Sequence, residues 1–443
     1  MKIRLLTSII FIFTFLQIEA QKAGLYLNEN VNKETISFQF IKNLIVVPIT
    51  FNGHQMNFII DSGLKETILF SQYDETINKS TLRQINLKGL GKDNRDTKGF
   101  YSTGNQVIFG KNFSSNNMSI IVIQDERFNL FSRLGMDVHG IIGSEFFKNY
   151  PIQIDYAKRK ITIYKSIFAL KKLKNFQSKF LEISPEIKPF TTIDFTYQIT
   201  YTNQKMLIDI GNSDGLWLFE NQIENLIPLQ RVFSDELGKG FNGAINGRRG
   251  VITSMNLGEY KFQQPLIAIP DEESIQFLNL KNNRKGSIGN EILRRFTIIL
   301  DYQNQMFYYK ANRNFRDAFH YNRSGLTIIH DKFEWKNEKI NMTFQNTTVS
   351  ENNSLSTQNI NYQYVLKPIY KIEAVRQNSN ADLAGLKAND ILEKLNGKQV
   401  NKMSLDDIEL FMKQNEFQKV SVEILRNNIP MKFKFVLDIP YND

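Results

Sequence analysis

Four landmarks of this chain occur twice, in the same order and at nearly the same spacing, and this duplication restricts the fold more than any other feature of the sequence. The first copy holds Phe58-Ile59-Ile60-Asp61-Ser62-Gly63, Val107-Ile108-Phe109-Gly110, Gly140-Ile141-Ile142-Gly143 and Ile152-Gln153-Ile154-Asp155-Tyr156. The second holds Leu207-Ile208-Asp209-Ile210-Gly211, Met255-Asn256-Leu257-Gly258, Gly286-Ser287-Ile288-Gly289 and Ile298-Ile299-Leu300-Asp301-Tyr302. Asp61 and Asp209, like Gly110 and Gly258, are 148 residues apart; Gly143 and Gly289, like Asp155 and Asp301, are 146 apart. Single landmarks arise by chance, but four in register require two homologous lobes.

Within each copy the segments are short, β-branched or aromatic, and punctuated by Gly and Asn, the pattern of strands and turns. Ile152–Tyr156 with Lys158–Tyr164 reads as a hairpin, matched by Thr297–Tyr302 with Met306–Tyr309. The reading is a mainly β fold, with lobes at 21–165 and 191–312 and a charged linker at 166–190 in which Ile167–Leu173 forms a short surface helix.

Composition removes most catalytic chemistries. The 443 residues include no cysteine, which excludes disulfides, thiolate zinc sites, a Cys nucleophile and a lipidated Cys. Four histidines (His54, His139, His320, His330) lie too far apart for a recognisable ligand spacing, so no metal and no cofactor are expected. The formal charge of +10 is spread along the chain without a basic block, so no nucleic-acid partner is expected. What remains is the duplicated carboxylate. Each Asp ends an apolar strand and precedes a Gly by two residues, and Gly lets a second chain approach closely. Lobes packed about a pseudo-twofold axis would bring Asp61 and Asp209 face to face. Two such carboxylates resist joint ionisation and hold a shared proton, the arrangement that activates a water against a carbonyl.

These residues resemble the pepsin and retropepsin-type aspartic peptidases. In that family an Asp-Thr/Ser-Gly loop from each β-barrel lobe supplies one catalytic Asp, and an apolar-apolar-Gly segment braces it. The resemblance covers roughly 35–312 and implies Asp61 and Asp209 as the dyad, supported by Ser62, Gly63, Gly211, Asn212, Gly143 and Gly289. It also implies flap hairpins; Gly89–Gly104 and Gly238–Gly250 hold equivalent places, and Tyr101 is a weak candidate for a flap contact. Two residues depart from the pattern. Leu64 replaces a small or hydroxylic residue, and Ile210 stands where a hydroxyl would bond across to the opposite loop, so that Asn212 or Ser213 would have to compensate. Ile210 leaves open a peptide-binding protein with a degenerate dyad. Gly211-Asn212-Ser213-Asp214-Gly215 also fits G-x-S-x-G, but a nucleophile elbow needs a helix directly after it, and Leu216–Phe219 reads as a strand.

After Tyr309 the composition changes. Thr343–Tyr362 is polar, and beyond it lie a strand at Tyr370–Val375, an Asn-Gly hairpin signal at Leu395–Lys398 and a capping box from Ser404 to Asp407 opening a helix. Ser379 to Ile391 follows the signature Ser-x-Ala-x-x-Ala-Gly-Leu-x-x-Gly-Asp-x of bacterial PDZ domains, except for Asn389 in the second Gly position; Asn tolerates left-handed backbone. The region 313–443 therefore resembles a PDZ domain, a partly open β-barrel with helices. The resemblance implies a peptide-carboxylate loop at Ser324, Gly325 and Leu326, a peptide-pairing strand through Ile328, and a groove wall carrying Ile408 and Phe411. A PDZ fold that only braces the lobes is the alternative.

Residues 1–20 have Lys2 and Arg4, an apolar run from Leu5 to Leu16, and Ala20 before Gln21, the pattern of a secretory signal. The expectation is an exported, periplasmic or extracellular aspartic endopeptidase with no integral membrane segment. Its partners would be peptide or protein substrates and a PDZ ligand with a free C-terminus or an internal strand. Two copies in one chain make a monomer sufficient.

Overall fold

Asp61 and Asp209 are delivered by the same strand pattern, used twice. The structure, a computed structural model, describes residues 24–438 except 71–75, 78–81, 88, 93–96, 124–130, 171–172, 241, 279, 281, 341–360 and 414–415. The export segment, and all of the polar stretch before Asn361, lie outside the described residues. In the first lobe, Leu44–Phe51 and His54–Ile60 form a hairpin turned at Asn52 and Gly53, both at positive φ. Strand Gly140–Ile142 lies parallel to His54–Ile60 and antiparallel to Thr67–Phe70, so it fills the gap between the two strands that flank the Asp61 loop. The second lobe repeats this with Gly286–Ile288 placed between Ile199–Ile208 and Leu216–Leu218. In each case a buried or nearly buried three-residue strand, too short to be stable alone, is held on both sides and leads directly into the glycine that braces the Asp loop.

The lobes join through a six-stranded sheet ordered Gln177–Phe180, Met306–Ala311, Phe296–Asp301, Ile152–Asp155, Lys160–Tyr164, Lys33–Ser37. Gln153 pairs with Ile299, its own counterpart in the other copy, while Ile152 pairs with Leu300 and Ile154 with Ile298. Pairing between equivalent residues is what a pseudo-twofold axis through this point requires. The four apolar members are fully buried and belong to one apolar core that runs through both lobes, including Ile60 and Ile208 beneath the Asp loops. Truncating one of them to Ala would cost about 2–5 kcal/mol.

The stretch 166–190 is more structured than a charged linker. Gln177–Phe180 is an edge strand of the joining sheet, Glu182–Ile183 pairs with Pro189–Tyr197, and Ile167–Leu173 gives way to two short 3-10 turns at Ile167–Ala169 and Leu173–Asn175. The edge strand alternates between solvent and the joining sheet, a pattern masked in the sequence by its lysines.

The C-terminal domain has its own core. Its sheet runs Leu326–Ile340, Asn361–Val375, Ile391–Leu395, Lys419–Arg426, Ile429–Val436, with helix Leu405–Met412 against it. Ser404 and Asp407 form the reciprocal capping box, and Lys394 pairs with Gln399 and Leu395 with Lys398 around Asn396-Gly397. Asn389 takes the left-handed conformation at φ 72°, and Asp390 beside it holds Arg426 through two 2.7 Å bonds. Among the described residues no helix is long and apolar enough to cross a membrane.

Candidate active site

Each Asp loop is tied to its bracing strand by matching backbone bonds. Asp61 N donates to Ile142 O and Asp209 N to Ile288 O, both at 2.9 Å; Ser144 N donates to Leu64 O at 2.7 Å and Asn290 N to Asn212 O at 2.8 Å. Gly143 and Gly289 permit this: a Cβ at either would run into the carbonyls of the loop it braces, Lys65 and Glu66 in one lobe, Asp214 in the other.

The loops nest across the axis. A Cβ on Gly63 would stand 2.9 Å from Asp209 Oδ1, and one on Gly211 would collide with the Asp61 carboxyl group. The two aspartates therefore lie each against the other loop's glycine. Asp61 Oδ1 accepts from Gly63 N at 2.7 Å and Leu64 N at 3.2 Å, and Asp209 is bonded likewise by the N–H groups of Gly211 and Asn212. Burial, then the charge of Asp209, pushes the Asp61 carboxyl up to about 7, against the pull of those N–H bonds and of Lys188. Burial raises Asp209 as well, opposed first by Arg284 and then by Lys188. Both carboxyls are thus held above the usual carboxylate range, the condition under which such a pair shares a proton.

Ser62 is buried and bridges the lobes: its Oγ donates to Ile208 O at 2.6 Å and accepts from Ile210 N at 3.0 Å. Ile210 cannot return the bond. The compensation expected of Asn212 or Ser213 comes from another residue; Asn212 Oδ1 accepts locally from Asp214 N. Asn290 supplies it. Its Nδ2 donates to Ile210 O at 2.6 Å, and its Oδ1 accepts from the hydroxyl of Tyr156, a first-lobe residue, at 2.7 Å. The cross-lobe lock is thus rebuilt from a buried amide and a phenol. The equivalent of Asn290 in the first lobe, Ser144, has a buried hydroxyl without a hydrogen-bond partner.

Two cations that sequence reading missed lie beside Asp209. Lys188, just ahead of strand Pro189–Tyr197, which pairs with Ile199–Ile208, is ion-paired to Glu186 at 3.2 Å and its charge reaches both aspartates. Arg284 is 8% exposed; its Nε donates to Gly286 O at 3.0 Å and its Nη2 to Ser287 Oγ at 2.5 Å, with the guanidinium 4.9 Å over the Phe219 ring. Ser287 pairs with Leu207, so Arg284 shares the sheet face that carries Asp209. Burial lowers the Arg284 guanidinium to about 10, offset in part by Asp209 and Asp61. The only local signal was a charged pair, Arg284-Lys285, ahead of an apolar bracing strand; for Lys188 there was none.

One hairpin from each lobe extends to meet the other. Arg83–Leu87 pairs with Thr97–Phe109 in the first lobe, and Val232–Gly240 with Gly243–Val251 in the second. Their tips are bonded together: Gly89 N to Asn242 Oδ1 at 2.7 Å, Asn242 N to Leu90 O at 2.9 Å, and Lys92 N to Ala244 O at 3.3 Å. Leu90 packs on the apolar cluster that contains Trp217, Phe219 and Leu237. Gly91 and Gly240 make the close approach possible, since a Cβ on either would strike the opposite backbone. Tyr101 lies on the hairpin stem, opposite Arg83 and Ile121, rather than at the tip. Strand Leu216–Leu218, not a helix, follows Gly215, so the G-x-S-x-G match lacks the nucleophile-elbow context.

In the C-terminal domain Ser324, Gly325 and Leu326 form a buried turn with Gly325 at φ 75°. Ile328 and Ile408 are in the domain core, and Phe411 packs against it, half-buried. Strand Leu326–Ile340 is the sheet edge, with helix Leu405–Met412 beside it.

Two β lobes joined about a pseudo-twofold, each offering an Asp on a glycine-braced loop, form an acid-protease-type fold with a third, PDZ-type domain appended. Residues 47–146 match the aspartyl protease family and residues 371–426 match the PDZ domain family. The first match contains Asp61, Ser62, Gly63 and Gly143. No curated protein matches the chain. An aspartyl-protease-like domain joined to a PDZ domain is the organisation of a protease with a protein-binding module.

Proposed function

We propose that the chain is an exported aspartic endopeptidase in which Asp61 and Asp209 together activate water. The observation that carries this reading is the reciprocal nesting of the two loops, with each aspartate against the other lobe's glycine. Lys188 favours charge on both aspartates and Arg284 on Asp209, so Asp209 is the general base and Asp61 holds the proton. Asp209 takes a proton from water as its oxygen forms a bond to the scissile carbonyl carbon, while Asp61 protonates the carbonyl oxygen. Collapse of the tetrahedral adduct breaks the C–N bond, the leaving nitrogen takes the proton from Asp209, and the adduct returns a proton to Asp61. The basic start and apolar run of residues 1–20 support export to the periplasm or the medium.

Ile210 favours the alternative of a peptide-holding protein with a silent dyad. Against it stands the Asn290–Tyr156 lock, which restores the cross-lobe bond where the hydroxyl is missing. The purified mature chain should cleave a mixed peptide library between about pH 3 and about pH 8, and Asp61→Asn and Asp209→Asn should each abolish cleavage while remaining folded. Absence of cleavage across that range would leave the binding-protein reading.

A further inference from the structure

The charged groups of the second-lobe hairpin connect the Asp209 loop to the PDZ domain. Arg249 Nη1 donates to Asp214 Oδ1 at 2.7 Å, and its Nε donates to Asp235 Oδ2 at 2.7 Å. The other oxygen of Asp235 accepts from Arg376 Nε at 3.3 Å, and the Arg376 guanidinium lies 4.6 Å over the ring of Phe233. Asp214 belongs to the loop that follows Asp209; Phe233, Asp235 and Arg249 belong to the hairpin; Arg376 belongs to the PDZ domain. A second link runs beside it. Glu373 of the PDZ domain accepts from Arg133 Nη2 at 2.7 Å and from Lys239 Nζ at 2.8 Å, and the same Arg133 nitrogen donates to Glu236 Oε1 at 2.9 Å. Burial opposes charge on Glu373, but the bonds from Lys239 and Arg133 prevail and hold its carboxyl below the usual range.

Both links start from the part of the PDZ domain where a peptide would bind. Arg376 N donates to Gly325 O at 2.7 Å and Arg376 Nη2 to Asn322 O at 3.2 Å, so this arginine braces the turn at Ser324–Leu326. Its side chain is 9% exposed, and its Nη1 is buried without a hydrogen-bond partner. The turn's own donors are spent internally: Ser324 N on Asn322 Oδ1 at 3.0 Å and Leu326 N on Ser324 Oγ at 3.0 Å. Glu373 is the bulged residue opposite Thr327 and Ile328 of the edge strand. The short helix Phe131–Leu134, which carries Arg133, lies against that strand, and the next residue, Gly135, faces Leu405 at the start of the groove helix. The mouth of the groove is thus covered by a first-lobe segment.

We propose that the PDZ domain latches the hairpin over the cleft, and that a peptide ending in a free carboxylate releases it. Entering between the edge strand and helix Leu405–Met412, such a peptide displaces helix Phe131–Leu134 and takes Arg133 from Glu236. Its carboxylate offers an acceptor to the unsatisfied Nη1 of Arg376, in competition with the single long bond to Asp235. Groove occupancy and a closed cleft then exclude one another, and coupling between two such sites is reciprocal. The consequence for cleavage rests on the peptidase reading; the test does not.

The test is amide hydrogen exchange across Val232–Val251 in the full chain, run also in Asp61→Asn, where no turnover occurs. Arg376→Met and Asp235→Asn should each speed exchange in this hairpin about fivefold, the effect of one partly buried charged bond. The double variant should speed exchange by less than the product of the two single effects, because the Arg376–Asp235 bond is lost in both. Arg376→Lys should restore part of the protection, and exchange in the PDZ strand Ile391–Leu395 should be unchanged. The ligand arm uses an equimolar mixture of hexapeptides with free carboxyl termini against the same mixture amidated. The free form should deprotect Val232–Val251 and the amidated form should not, and the difference should vanish in Arg376→Met. Unaltered hairpin exchange in both single variants overturns the latch. Unaltered exchange at millimolar free-carboxylate peptide, or equal effects of the two mixtures, overturns release by a carboxylate.

Discussion

Replacing Asp61 by Asn removes a titration while conserving volume, and the structure sets the size of the change. The Asp61 carboxyl is raised from 3.8 to about 7 by burial and by Asp209. At about 1.4 kcal/mol for each pH unit, this difference corresponds to on the order of 4 kcal/mol of folding free energy. Because the folded value is the higher one, the sign is opposite to that of a salt-bridged carboxylate. Below about 3.8 both states are protonated and the contribution to stability is fully present. Between about 3.8 and about 7 the unfolded chain ionises and the folded one does not, so stability declines steadily, and above about 7 the loss is complete. Urea unfolding of the natural chain and of Asp61→Asn from about pH 4 to about pH 8 reads the change in the pair, since the titrating groups other than the coupled Asp209 are common to both and cancel in the difference. The variant should gain on the order of 4 kcal/mol relative to the natural chain over that interval. A difference that stays constant with pH would mean that Asp61 is neither desolvated nor close to Asp209, and the two could not then share a proton.

The same chemistry fixes two further outcomes. Arg284→Met should raise the Asp209 value, because burial then acts with less opposition, so the acid limb of the cleavage profile should move to higher pH and kcat/KM near about pH 4 should fall about tenfold; an unmoved acid limb with normal folding would show that Arg284 does not act on the dyad. Asn290→Ala leaves Ile210 O and the Tyr156 hydroxyl buried without partners, so unfolding should become easier by about 2–4 kcal/mol, and Tyr156→Phe by about half of that. A loss below about 0.5 kcal/mol in Asn290→Ala would place the cross-lobe lock elsewhere.

The duplicated landmarks were legible because each is a local string whose role is local: an apolar strand, an Asp, a Gly two residues on, and an apolar brace. The same holds for the Ser404–Asp407 capping box and the Asn396-Gly397 turn, where three or four residues decide the geometry. The lock, the cations and the latch were not legible, for one physical reason. Asn290 acts through Tyr156, 134 residues away, and only the pairing of Gln153 with Ile299 brings them together. Lys188 comes within electrostatic reach of Asp209 only once the strand after it, Pro189–Tyr197, pairs with Ile199–Ile208. Arg376 reaches Asp235 across a domain boundary. Sequence periodicity reports which face of an element is buried, but not which distant element covers it. The edge strand Gln177–Phe180 shows the converse limit, since its lysines concealed a β role that depends on the neighbouring strand Met306–Ala311.

The divergence between the lobes has a chemical meaning of its own. A symmetric dyad is degenerate: with Ser62 repeated in the second lobe and no nearby cation, neither carboxyl would be preferred as the one that keeps the proton. Here the second lobe has lost the hydroxyl at Ile210 and gained Arg284 and Lys188, while the first lobe has kept Ser62, which bonds to the chain on both sides of Asp209 through Ile208 O and Ile210 N. Both changes act in one direction. Ser62 fixes the backbone that carries Asp209, and Arg284 favours charge on its carboxylate, so on the proposed reading the proton belongs to Asp61 before any substrate enters. On the peptidase reading proposed above, the pair works without a hydroxyl at position 210. An asymmetric pair assigns base and acid in advance, and water needs to reach it in only one orientation. Restoring symmetry with Ile210→Ser should accordingly leave the fold intact yet leave kcat little improved. Removing Arg284 in the same chain should cost more than either change alone, because nothing would then distinguish the two carboxyls.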